Sequence, residues 1–327
     1  MTDAATYPPK QRPFLLIVGS SRSGTTLMGQ LLGEHPDVFI APETKCFMYV
    51  WSQRRLLDGL EPADRIGRIV ECLIRSEYPR ENPVFPRYRE SFARVLAEHR
   101  DYGRAFFALI KQLSDRPILG EKTPGHLNFV KPILASAHRP VKVLGMVRAP
   151  GAVIASQRGR NLFNHCDDLV FTAERWNADY RGLLRLAGQL GNRTLHIVRF
   201  EDLLADPAGV MKGVCDWIGI DLQPQMLVPT FQHSSFRSDR AADGFDLGAI
   251  DRWREHLPAD QVRLLEAITQ PIARRFGYDL PPGQVGLANR LRQLRHRMNL
   301  ALSRRHAARG LARRGAYHGI PLKPDRD

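Results

Sequence analysis

Pro13-Phe-Leu-Leu-Ile-Val18 runs into Gly19-Ser20-Ser21-Arg22-Ser23-Gly24-Thr25-Thr26, and that in turn into Leu27-Met-Gly-Gln-Leu-Leu32. An apolar run of strand length, a turn of small residues and a helical segment succeed one another without a gap. Such a junction leaves backbone N–H groups unpaired at the positive end of a helix dipole, where an anion supplies the missing acceptors. The glycines allow left-handed backbone and close approach of a ligand. The spacing predicts a strand over 14–18, a helix over 25–33 and a phosphate cradle between them.

The cradle departs from the common nucleotide-binding loop. Gly19 and Gly24 have the spacing of G-x-x-x-x-G-K-[ST], but Thr25 stands where that motif has lysine, and the cation of the loop is Arg22. A planar guanidinium fork without an evident lysine and magnesium pair suits a less charged transferable group than a terminal triphosphate.

Working outward, apolar runs separated by helical segments recur. Short strands are predicted at 117–120, 141–147 and 194–200, and helices at 151–158, 169–190, 207–218 and 259–276. A helical region spans 48–113, broken at Pro62 and by the proline-rich 78–86. Strands alternating with helices predict an α/β protein of P-loop type, three layers deep, with a central parallel sheet covered on both faces and its site at the carboxyl ends of the strands. The expected division is a flexible N-terminus (1–12), one α/β domain (13–283, with 48–113 as a substrate-facing insertion) and a basic helical tail (284–327).

The composition, with 43% hydrophobic residues in 327, supports a full core. Cys46, Cys72, Cys166 and Cys215 are scattered, so buried thiols are expected rather than a zinc site or disulfides. No metal is expected. The start of the chain has neither basic nor apolar leader character, and a cytoplasmic protein is the expectation. The net charge is +14, of which nine charges lie in 286–327, where eleven Lys/Arg face only Asp325 and Asp327. The rest is weakly basic, so nucleic acid is not an expected partner.

A second phosphate motif follows the strand at 141–147. Arg148 stands at the strand end, Pro150 opens a helix, and Ser156 and Arg160 come two and three turns on, which predicts convergence on one phosphate. Taken together, Arg22-Ser-Gly-Thr-Thr-Leu-Met28 and the Arg148, Ser156, Arg160 spacing resemble the sulfotransferases that use 3′-phosphoadenosine 5′-phosphosulfate (PAPS), in the branch holding the protein-tyrosine sulfotransferases and many bacterial relatives. The resemblance covers roughly 13–281. It implies PAPS as co-substrate and transfer to a hydroxyl of an unidentified lipid, glycan, phenolic or peptide acceptor. It implies that Arg22, Ser23, Gly24, Thr25 and Thr26 hold the 5′-phosphosulfate and that Arg148, Ser156 and Arg160 hold the 3′-phosphate. Phe200 in Val198-Arg-Phe-Glu-Asp-Leu203 takes the place of a family tyrosine, so a hydroxyl contact is lost there.

The resemblance also implies catalytic roles. Glu43 in Ala41-Pro-Glu-Thr-Lys45 matches the family's general base, its plainer alternative being a loop carboxylate paired with Lys45. Lys122 in Gly120-Glu-Lys-Thr-Pro124 matches the lysine that stabilises transition-state charge, its alternative being a surface ion pair with Glu121. Lysine is scarce, eight against forty arginines, which favours the functional reading. Ser238 and Arg252 match phosphosulfate contacts through an alignment with a small gap. His126 and His35 have no triad-like partner in sequence, and Trp176 and Asn177 are expected to pack in the core. A P-loop kinase or NTPase and a nucleotide-binding protein without turnover are the two alternatives.

In the tail, Leu287, Leu291, Leu294, Met298 and Ala301 make one helical stripe over about 285–309, with Arg292, Arg295 and Arg304 on the opposite face. Two expectations stand side by side. The stripe docks on the enzyme's own core or a second subunit, giving a homodimer, or the segment lies on an anionic membrane as a peripheral contact at its inner face.

Overall fold

The computed structural model describes residues 12–61, 63–65, 67, 95, 98–99, 101–160, 162, 165–229 and 244–311. Among them five strands form one sheet: β1 (Phe14–Gly19), β2 (Val38–Ala41), β3 (Ile118–Lys122), β4 (Val141–Val147) and β5 (Leu195–Arg199). Their order is β2-β3-β1-β4-β5, and every neighbouring pair is parallel. Parallel neighbours need crossover connections, which the helices supply. These are α1 (Thr25–Gly33), α2 (Cys46–Asp58), α3 (Tyr102–Leu113), α4 (Val130–Ala135), α5 (Pro150–Gly159), α6 (Leu169–Thr194), α7 (Phe200–Ala205), α8 (Pro207–Ile218), α9 (Ala259–Ala273) and α10 (Leu287–Ala308).

Strand β1 shows how the layers form. Phe14, Leu16 and Val18 enter one core with Phe47, Phe106, Trp176 and Tyr180, from α2, α3 and α6. Leu15 and Ile17 enter a second core on the other face with Met28, Leu31, Val214 and Ile218, from α1 and α8. The side chains alternate with period two, and both faces are covered, so the strand reads as continuously apolar. Each large side chain buried this way contributes roughly 1.5–3 kcal/mol relative to leaving it in water. Trp176 and Asn177 lie in the core as expected, each with one per cent of its surface exposed. Cys46, Cys166 and Cys215 are buried free thiols.

Three helix starts follow familiar chemistry. Asp101, Asp168 and Asp206 cap α3, α6 and α8 by accepting backbone N–H bonds of the first turn. Helix α1 begins at Gly24 with no side-chain cap. At the far end of α6, Gly191 (φ 65°, ψ 170°) interrupts the helix, one residue after the predicted stop at 190. Of the helical region predicted over 48–113, the described residues form α2 and α3, and most of the stretch between lies outside them, as does Cys72.

The tail helix α10 overturns one expectation. Its apolar stripe does not dock on the enzyme. Leu287, Leu291, Leu294 and Met298 are 74%, 62%, 56% and 55% exposed. The helix is held by its polar face instead. Arg297 forks onto both oxygens of Glu174 at 2.8 Å, and Gln293 donates to the same carboxylate at 2.7 Å. Arg304 bonds Asp179 at 2.7 Å, while Arg292 and His296 each meet Asp168 at 3.0 Å. Glu174 has no exposed surface. A carboxylate buried in α6 requires partners, and that requirement outranks the burial of a leucine stripe. Arg292 and Arg304 therefore lie on the docking face, and Arg295 alone of the three predicted opposite the stripe is left outside. Among the described residues no helix is long and apolar enough to cross a membrane.

Candidate active site

All five strands point the same way, so their carboxyl ends share one edge, and each is followed at once by a residue singled out by sequence. Arg22 comes after β1, Glu43 after β2, Lys122 closes β3, Arg148 follows β4 and Phe200 follows β5.

The loop after β1 is shaped to leave donors open. Ser23 Oγ bonds back to Ser20 O at 2.7 Å and tightens the turn. Arg22 sits at φ 74°, a left-handed backbone that an arginine adopts at a cost of order 1 kcal/mol or more. Gly24, at φ 91°, is required twice over, because a Cβ there would stand 2.3 Å from the Phe200 ring. With no side-chain cap on α1, its first-turn N–H groups face the loop at the positive end of the dipole. Thr25 is buried and Thr26 exposed beside them.

The helix after β4 meets this loop directly. Arg22 Nε donates to Ser156 Oγ at 2.9 Å, Gln157 Nε2 donates to Ser21 O at 2.8 Å, and Arg148 Nη1 donates to Arg22 O at 3.2 Å. Arg148 Nη2 reaches Ala249 O at 2.9 Å, and its guanidinium lies 4.2 Å over the Phe200 ring. Arg148 Nε is sealed from solvent and has no hydrogen-bond partner among the described residues. Burial pulls this guanidinium down to about 10, the Arg22 cation works in the same direction, and Glu201 works against both. Two guanidinium groups thus stand together where the loop meets α5.

The other residues predicted for the 3′-phosphate and the phosphosulfate are placed differently. Arg160 stands exposed at the C-terminal end of α5, one turn beyond Ser156. Arg252 forks onto Asp246 with two bonds of 2.9 Å, and the neighbouring Trp253 packs against Gly151 of α5. Ser238 lies outside the described residues.

At the ends of β2 and β3 two basic side chains enclose one carboxylate. Lys122 Nζ bonds Glu43 Oε2 at 3.1 Å, and Lys45 Nζ lies 3.8 Å from Glu43 Oε1, all three side chains being ten per cent exposed or less. The pairing of Glu43 with Lys45 that sequence offers is therefore present, but Lys122 holds the shorter contact. The alternative offered for Lys122, a surface ion pair with Glu121, is not formed, because Glu121 points inward. It has no exposed surface and accepts bonds from Thr44 N, Thr44 Oγ1 and Thr123 Oγ1, with His126 Nδ1 at 2.8 Å. It pins the residue after Glu43 to the residue after Lys122. His126, read as lacking a carboxylate partner, has one in Glu121, and its ring is buried against Phe47 and Phe106. The stem of Lys122 lies along α1 at Gly29. His35 instead takes the N–H of Asp37 on Nδ1 and closes the turn before β2, and burial holds its ring below the usual imidazole range.

Several further residues position these groups. Tyr180 Oη accepts from Arg148 N and donates to Met146 O, both at 3.3 Å. Glu201 accepts from Ala149 N at 2.9 Å and from Tyr278 Oη at 2.6 Å. Burial and then the Glu201 carboxylate push the Tyr278 phenol up, so it stays a donor. The one sequence signal for such residues is a charged or phenolic side chain in an otherwise apolar element, as with Glu121 in β3.

Comparison with known proteins agrees with this geometry. The profile described as the sulfotransferase family matches residues 13–224. Carbohydrate sulfotransferase 5 of Mus musculus is 25% identical over 331 residues, covering 82% of this chain and 81% of that protein. Protein-tyrosine sulfotransferase A of Caenorhabditis elegans is 23% identical over 283 residues, covering 82% and 67%. Among solved structures, the sulfotransferase domain from the Synechococcus PCC 7002 olefin synthase superposes with a TM-score of 0.59 at 23% identity, over 84% of this chain and 99% of that domain. A sulfotransferase domain from the curacin biosynthetic pathway gives 0.56 at 18%, over 82% and 99%. These two likenesses bear on the fold.

Proposed function

Because this chain belongs to the sulfotransferase family, we propose that it moves a sulfuryl group from PAPS to a hydroxyl of a glycan, lipid, phenolic or peptide-tyrosine acceptor. The observation that carries the choice of donor is the Arg22 to Ser156 bond with Arg148 beside it. It places two phosphate-type motifs from different strands side by side. A nucleotide with one anion at its 5′ end and another at its 3′ position fits two such centres better than a single phosphate chain does. Relatives named for carbohydrate and protein-tyrosine acceptors support a hydroxyl as the attacking group.

In this reading Arg22 and the uncapped N–H groups of α1 take the 5′-phosphosulfate, and Arg148, Ser156 and Arg160 take the 3′-phosphate. The bound donor supplies a sulfur–oxygen bond that breaks with a phosphate as leaving group. Glu43 accepts the proton of the attacking hydroxyl. That proton removes the charge that holds Lys122 Nζ, and the ammonium is released toward the negative charge growing on the leaving oxygen. Lys122 and Arg22 stabilise that charge, and the rigid β-strand ends fix the reacting groups, so positioning and electrostatics supply most of the acceleration. Arg252 joins them only by leaving Asp246.

The test has two arms. Calorimetry should show 3′-phosphoadenosine 5′-phosphate binding at least about a hundredfold more tightly than ATP. Radiolabelled PAPS should then sulfate at least one simple phenol or sugar, and Glu43→Gln should abolish that transfer while retaining nucleotide. Equal affinity for ATP would remove the donor assignment. Tight nucleotide binding with no transfer across a broad acceptor panel would leave a nucleotide-binding protein without turnover.

A further inference from the structure

The geometry points to α10 as a docking surface for an anionic lipid bilayer, presented by the enzyme with its apolar side outward. The helix carries Leu287, Leu291, Leu294, Met298 and Leu302 at spacings of four, three, four and four, and each is more than half exposed. Side chains at that spacing lie along one side of a helix. The opposite side is fixed to α6 by the ion pairs of Arg297, Arg304 and Arg292 with Glu174, Asp179 and Asp168. A lone amphipathic helix commonly turns its apolar side to its own protein. Here a buried carboxylate on α6 takes the basic side, and the apolar side of α10 is left exposed.

The charges on that outer surface select the occupant. Arg295, Arg305 and Arg309 are exposed, and on helical spacing they fall within or beside the leucine stripe. Among the described residues none of the three makes a side-chain ion pair. Residues 287–308 contain no aspartate or glutamate, and the sequence beyond adds Arg313, Arg314, Lys323 and Arg326. A second copy of this helix would set arginine against arginine across the contact, which disfavours a symmetric pair. A bilayer rich in phosphatidylglycerol or another anionic headgroup answers both features at once. Acyl chains take the leucines, and phosphates take the guanidinium groups at the level of the headgroups. The enzyme would thereby sit where acceptors with lipid anchors are concentrated.

A truncation before α10 is a poor test, because it strips Glu174 of Arg297 and Gln293. The full chain is used instead, with two variants confined to the outer surface, L291Q/L294Q/M298Q and R295E/R305E. Co-sedimentation with vesicles of about 30% phosphatidylglycerol in phosphatidylcholine, and with phosphatidylcholine alone, reads binding at low and high salt. The wild-type protein should pellet with the anionic vesicles only and be released by salt. Both variants should lose at least about tenfold in partition, with unchanged melting temperature and nucleotide affinity. Failure of the wild-type chain to pellet overturns the proposal. So does a glutamine variant that pellets like wild type, since charge alone would then explain the attraction. Sedimentation of the lipid-free wild type as a dimer that L291Q/L294Q/M298Q turns into a monomer assigns the stripe to a second copy.

Discussion

Arg22 and Ser156, 134 residues apart in the chain, are joined by a 2.9 Å hydrogen bond from the guanidinium Nε to the hydroxyl oxygen. The bond makes one unit of two motifs that sequence treats as separate grips. Ser156→Ala should therefore do more than loosen a 3′-phosphate. Affinity for 3′-phosphoadenosine 5′-phosphate should fall about tenfold, with a smaller loss for adenosine 5′-phosphosulfate, and turnover should fall too as Arg22 loses its tether. Calorimetry with both nucleotides and a steady-state assay separate these effects. A turnover number left intact while affinity falls would show that Arg22 holds its place without the serine.

Glu43 and Lys122 should behave as a coupled pair. Glu43→Gln should lower kcat by ~10² to 10⁴-fold with near-normal nucleotide binding. Lys122→Ala should lower it by ~10²-fold or more. Since the two side chains touch at 3.1 Å, the double variant should lose less than the product of the single losses. Strictly multiplicative losses would show that they act independently.

Gly24→Ala introduces a methyl group 2.3 Å from the Phe200 ring into a residue at φ 91°. Thermal unfolding should show a loss of about 2–4 kcal/mol, adding a steric part and a backbone part. Pairing it with Phe200→Leu should recover the steric part and leave the backbone part. Recovery to wild-type stability would mean that the loop accommodates alanine by shifting.

Acid should loosen α10 before the sheet. Burial alone would raise the Asp168 carboxyl, but the Phe171 N–H, His296 and Arg292 outweigh it and hold it below the usual carboxylate range. A lowered acid stabilises the fold above its unfolded value near 4 and loses that contribution as pH falls through the folded value. Hydrogen exchange of 287–308 should therefore quicken below about pH 4 while the exchange of β1 stays slow. Asp168→Asn should show that quickened exchange already at neutral pH. If its exchange matches wild type, the other ion pairs suffice to hold the helix.

Much of this site was legible because its signals are local. The apolar runs gave four of the five strands to within a few residues and missed the short β2 at Val38–Ala41, and the junctions after 19 and 147 stood out through residue type and spacing. What stayed hidden is non-local. Nothing near Glu121 in sequence says that it turns into the core to bind Thr44 and His126, and Lys122 finds its carboxylate on another strand's loop. For the tail helix the sequence left two orientations open, the stripe docked on protein or turned to a membrane, and could not choose between them. Its orientation is set by Glu174, which within α6 reads as an ordinary helix charge and is in fact fully buried.

The position of β1 has a consequence for how the chain is made. This strand is made before the other four, yet its neighbours on either side are β3 and β4, with Leu15 against Gly120 and Phe14 against Val141. The central strand of the sheet, six residues without a charge, must therefore wait unpaired for about a hundred residues, until β3 has been made. Long-range pairing of this kind is slow and exposes apolar segments to other chains. Nascent chains halted before residue 141 should be strong clients of holdase chaperones, and chains halted after 200 much weaker ones. The edge that gathers donor and acceptor thus comes into being only when the last of its strands has emerged.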